Sequence, residues 1–125
     1  ATLAAADPAA IGTLGIVRQR VAALLALAHE VAAGRLPLHP GAELAPTLAA
    51  LRALPGIGDW TAQVIALRVL AWPDAWPASD IGLVNALAPH AGTRDPAALA
   101  RLAEAWRPWR AYAVMRLWHF VETST

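Results

Sequence analysis

The 125-residue chain has no cysteine, which excludes disulfides and thiolate metal centres and fits a reducing interior. It has no lysine either: all ten basic residues are arginines, so no lysine side chain can form an imine intermediate. Aromatic residues make up only 6%, and β-branched residues are few, which disfavours a sheet. No apolar run approaches the roughly 18 residues of a membrane span, so no membrane contact is expected. A charged segment leading into a long apolar stretch, the mark of a signal peptide, is missing from the start. Net charge is also scarce. At +1 the bulk electrostatics does not announce a nucleic-acid partner. There is no internal repeat and no low-complexity linker.

What the chain has is alanine, which dominates a hydrophobic share of 58% and favours packed helices. The reading is all-α: a single domain over residues 1–125, with short loops and one core. Asp7-Pro8 offers an N-cap followed by proline at the first helical position, although Gly12 and Gly15 weaken that helix. Val17, Val21, Leu24, Leu25, Ala28 and Val31 recur at helical spacing over about 16–33, and Gly34 closes the run. Three prolines mark "RLPLHPGAELAP" as a connector. Short and longer helices are expected over about 47–53 and 59–71, with "WPDAWPASD" as the next loop. A helix then starts near Asp80 and stops at Pro89. Asp95-Pro96 repeats the start signal for a helix up to Pro108, and the last helix covers about 108–121.

Inside this helix-rich chain, "LPGIGDW" places Pro55, Gly56 and Gly58 within four residues. Two helices joined by a tight Gly-x-Gly turn allow positive φ and close backbone approach. The second helix starts at once, so unpaired N–H groups lie beside a positive dipole end and form an anion site that needs no basic side chain. An ordinary αα-hairpin with a glycine turn is the competing reading.

"LPGIGDWTAQ" resembles the helix-hairpin-helix of the base-excision DNA glycosylases of the helix-hairpin-helix/Gly-Pro-Asp superfamily. "WPASDIGLVNAL" resembles the loop that ends in that family's essential aspartate, although its Gly-Pro is only partly present as "WPAS". "AEAWRPWRAYAVMRLW" is similar to the closing helix of the 3-methyladenine DNA glycosylase II (AlkA-type) branch. Asp80 follows Trp60 by twenty positions, the family's spacing. The resemblance implies a helical bundle containing a helix-hairpin-helix, part of the glycosylase fold. It also implies a monofunctional enzyme, because Trp60 stands where strand-nicking members carry lysine.

The resemblance makes Asp80 the catalytic carboxylate, which would stabilise positive charge on the sugar and orient water. The pattern alone also allows Asp80 or Ser79 to act as a plain N-cap. Trp60 and Trp118 match positions lining the lesion pocket, where aromatic faces stack on a flipped, electron-poor base; core packing is the alternative for each. Val64 and Ile81 replace pocket positions that can be aromatic in the family. Trp106 and Trp109 read as core and helix-joint residues, and Trp72 and Trp76 as shaping the loop before Asp80.

Amides of Gly56, Gly58 and Thr61 would meet DNA phosphate. The main-chain oxygens of Arg52, Leu54 and Ile57 would hold a structural Na+ or K+, with no other cofactor. Arg110 shares a helix face with Trp118 and would contact DNA or form a structural ion pair. The four histidines show no metal-ligand spacing. AlkA-type proteins are about twice as long, so the chain would be a C-terminal portion lacking the family's N-terminal part and its wedge residue. Double-stranded DNA with an alkylated base is the expected partner of a monomer in a cytoplasmic, nucleoid-associated setting. A non-catalytic DNA-binding module is the alternative function.

Overall fold

The computed structural model describes residues 2–123, and among these the fold is all-helical. Seven α-helices occur in order: α1 (Pro8–Gly12), α2 (Arg18–Ala32), α3 (Leu44–Arg52), α4 (Asp59–Arg68), α5 (Ile81–Ala91), α6 (Pro96–Ala103) and α7 (Arg110–Thr123), with a 3-10 turn at Glu104–Trp106 before α7. The two Asp-Pro signals work as the sequence suggests. Asp7 accepts from the Ala9 amide, and Asp95 from those of Ala97 and Ala98, each with proline at the first helical position. Several boundaries differ from expectation; α4 ends at Arg68 rather than near residue 71, and α6 at Ala103, before the 3-10 turn, rather than at Pro108. Helix α3 begins at Leu44, because Pro46 sits in the first turn, where its missing N–H is not needed. Helix α5 runs through Pro89 to Ala91 and ends at Gly92 with φ 71°, a left-handed C-cap.

The expected single core is two clusters. The first gathers Leu36, Leu48, Leu51, Ile57, Ala62, Ala66 and Leu70 around the α3–α4 hairpin. The second gathers Trp76, Leu83, Val84, Leu87, Leu99 and Val114 around α5, α6 and α7. Leu67 of α4 packs against both. The segment 69–80 crosses between them, and its conformation is set by long-range bonds. Buried Gln63 accepts the Trp76 amide at 3.1 Å, and the Ala111 amide donates to the Pro73 carbonyl at 2.8 Å. Trp76 is buried, with its ring centroid 5.9 Å from that of Trp106. Trp109 stands at the joint before α7, where its amide donates to the Trp106 carbonyl at 2.8 Å, while its side chain is 57% exposed with the Tyr112 ring edge-on beside it.

Candidate active site

Asp80 sits where the two clusters meet. A turn closed by the Asp80 amide on the Pro77 carbonyl (3.0 Å) delivers it to the start of α5, where it is the N-cap. Its Oδ2 accepts the Leu83 amide at 3.0 Å, so the capping role is present. Two further donors come from far away in sequence. The Trp60 indole N–H donates to Oδ1 at 2.8 Å, and the Trp118 indole N–H to Oδ2 at 2.8 Å. Three elements, α4, α5 and α7, thus converge on one carboxylate.

Asp80 is only 9% exposed, and among the described residues it takes part in no ion pair. Burying a carboxylate without a counter-ion is costly unless neutral donors replace water. Three N–H donors do so here. A carboxylate offers about four lone-pair positions, which leaves one on Oδ1 for an incoming group.

Asp74 shows the structural alternative. It is equally buried, yet Arg110 grips it through Nε (2.8 Å), Nη2 (3.1 Å) and its backbone amide (3.3 Å), and Arg107 adds Nη1 at 2.8 Å. Burial pushes the Asp74 carboxyl up, but the Arg110 hydrogen bonds and the two arginine charges outweigh this and hold it below the usual carboxylate range. This corrects the DNA-contact expectation for Arg110. Its side chain is buried and its guanidinium is engaged with Asp74 through Nε and Nη2. The alternative, a structural ion pair, is what the fold contains.

The remaining pocket residues separate. Val64, one turn beyond Trp60, is half-buried, whereas Ile81 is 65% exposed and adds little enclosure. Gly82 was not a sequence candidate. A Cβ there would lie 3.0 Å from Asp80 Oδ2 and 3.3 Å from Trp118 Cδ1, so the missing side chain is what lets the carboxylate and the indole close together.

At the hairpin, Gly56 has φ +79°, and a Cβ on it would lie 3.1 Å from that of Ala23 on α2. Gly58 is the N-cap of α4 and provides no side-chain cap. Gly56, Ile57, Trp60 and Thr61 line one wall of an open groove of about 840 Å³, with Val17, Arg20 and Leu24 opposite. The hairpin also carries an ion pair with no signal in the sequence pattern, in which Arg52 Nη2 lies 2.6 Å from Asp59 Oδ1. Asp59 is in the first turn of α4, so a negative charge already lies at the expected anion site. Among the described residues no helix is long and apolar enough to cross a membrane, and no cluster of three or more His, Cys, Asp or Glu residues suits a metal ion.

No protein-family model matches the chain. Among individual proteins, it is 37% identical over 119 residues to DNA-3-methyladenine glycosylase 2 of Escherichia coli, a match covering 94% of this chain and 40% of that protein. It is 41% identical over 120 residues to the "Probable bifunctional transcriptional activator/DNA repair enzyme AlkA" of Mycobacterium tuberculosis, covering 96% of this chain and 24% of that one. A DNA-3-methyladenine glycosylase of Bacillus subtilis is 32% identical over 68 residues, or 50% of this chain and 22% of that protein. The chain therefore spans well under half the length of these relatives. Over nearly its whole length the chain is thus similar to part of a protein named DNA-3-methyladenine glycosylase 2 and of one named a DNA repair enzyme AlkA, in line with the resemblance of the hairpin, the aspartate loop and the last helix.

Proposed function

We propose that the chain supplies the catalytic carboxylate and part of the base pocket of a monofunctional DNA glycosylase, which releases alkylated purines of the 3-methyladenine type in base-excision repair. The observation that carries this reading is Asp80: a buried carboxylate, held by two indole N–H groups and one amide, with no ion-pair partner among the described residues. Cleavage builds positive charge on the deoxyribose, and a fixed carboxylate beside it lowers that barrier. The C1′–N bond breaks with its electron pair leaving on the base. Water adds its oxygen to C1′, and its proton passes to the free position on Asp80 or to solvent. Trp60 and Trp118 act through their edges by fixing the carboxylate, and through their faces by stacking on the flipped base. Trp60 stands where strand-nicking members carry lysine, and no lysine of this segment can form an imine, so the reaction is read as ending at hydrolysis without nicking the strand.

Duplex DNA would be held at the hairpin, with amides of Gly56, Gly58 and Thr61 toward a phosphate. The oxygens of Arg52, Leu54 and Ile57 bracket the turn. That of Leu54 receives only a long bond from the Ile57 amide, 3.3 Å, and keeps a lone pair for a Na+ or K+. Replacing K+ by a bulky organic cation at constant ionic strength should then weaken DNA binding; unchanged binding removes the ion from the account. The protein would act as a monomer.

The deciding experiment measures free base released from methylated duplex DNA, with the chain alone and grafted into the E. coli relative in place of the matched segment. Asp80→Asn should lower release by about 10²–10³-fold while DNA binding is kept. Binding without release in every form would favour a non-catalytic DNA-binding module.

A further inference from the structure

The face that α4 turns toward Asp80 has a third member. Trp60, Val64 and Arg68 are spaced four apart and so lie along one stripe. Arg68 ends that stripe with its guanidinium carbon 5.1 Å from the Trp118 ring centroid. It is exposed, and among the described residues it joins no ion pair. Its electrostatic partner in the fold is the π face of Trp118. The indole's N–H is committed to Asp80, and beside its Cδ1 edge a Cβ at position 82 would come within 3.3 Å. A flat ligand would stack on a face of Trp118, and Arg68 covers one.

We propose that Arg68 is a specificity-determining residue of the base pocket: its permanent charge on the Trp118 ring weakens the preference for positively charged alkylated bases and widens the range toward uncharged damaged ones. A cationic base gains from an indole through the ring quadrupole. Arg68 has already drawn on that density, and it repels a second cation on either face. An uncharged base stacks through dispersion and area burial, which the guanidinium leaves untouched. Asp80 then serves the sugar while Arg68 tunes selection of the base. The inference rests on the reading of Trp118 as a pocket wall.

Two measurements test it, one of them independent of catalysis. The first titrates the chain with N-methylquinolinium and with quinoline, which share a shape and differ in charge. It follows the Trp118 indole N–H by NMR, with that signal assigned through Trp118→Phe. Arg68→Met should tighten the cation relative to quinoline by about threefold to fivefold, and Arg68→Lys should keep the original ratio. Equal changes for both ligands, or none, overturn the proposal. The second compares kcat/KM for cationic 7-methylguanine and uncharged hypoxanthine in duplex DNA, using the graft into the E. coli relative. Arg68→Met should raise the cationic-to-neutral ratio by a similar factor. A matched rise in KM for both substrates would make Arg68 a phosphate contact and overturn the proposal. If no form releases base, the glycosylase reading fails while the NMR titration still decides the role of Arg68.

Discussion

At Gly82 the demand for a missing side chain can be stated atom by atom. Alanine is the better helix former by about 0.5–1 kcal/mol, so Gly82→Ala should leave the fold intact or slightly more stable. Its methyl group would nonetheless press on Asp80 Oδ2 and Trp118 Cδ1. The carboxylate has to give, and base release should fall by about tenfold while the melting temperature does not. A variant that keeps full activity would show that the site tolerates the displacement. Trp118→Phe asks a related question, because it keeps a ring but removes the donor to Oδ2. A hydrogen bond to a charged group is worth about 1.5–3 kcal/mol, so activity should drop by about 10- to 100-fold. Loss of the same size in Trp60→Phe would show that both oxygens need their donors.

At the scale of elements, the hairpin joins a conformational requirement to an electrostatic one. Gly56 turns the chain at positive φ and lets α2 approach, with Ala23 in contact range, so its role is steric whatever its amide binds. Asp59 lies in the first turn of α4, where a carboxylate suits the helix dipole but opposes a phosphate. Arg52 offsets part of that charge at 2.6 Å. Asp59→Asn should therefore strengthen duplex binding several-fold at low salt, with the gain shrinking as salt is raised. A salt titration of binding for both forms checks this. Unchanged affinity would place the phosphate away from the α4 N-terminus.

Over the whole molecule, Asp74 joins the loop before the site to the start of α7. Because its folded-state pKa lies below the unfolded value, the pair stabilises fully above the ordinary carboxylate range. That stability is lost as pH falls through the lowered folded value. Acid unfolding of the parent should thus include a component that is absent in Asp74→Asn. At neutral pH the same substitution leaves Arg110 buried without its anion, which should cost about 3 kcal/mol and about 10 °C in melting temperature. Equal acid sensitivity in the two proteins would contradict this account.

What local chemistry controls can be read directly along the chain. Asp-Pro starts, glycine stops and 3.6-residue periodicity set the helices to within a few residues, and the resemblance of the motifs that hold Gly56, Gly58, Trp60, Asp80 and Trp118 to a known family implied one kind of site. Asp80 as an N-cap was legible for the same reason, since its amide partner is three residues away. Which side chains face one another is settled by how distant elements pack. Trp60 and Trp118 reach the carboxylate across 20 and 38 residues, and Arg110 reaches Asp74 across 36. Sharing a helix face with Trp118 could not tell Arg110 whether DNA or a buried aspartate lay opposite. The stripe of Trp60, Val64 and Arg68 was visible as periodicity, but its partner ring was not. A helix face is written in the sequence through backbone geometry, while what packs against it depends on how separate elements fill space together.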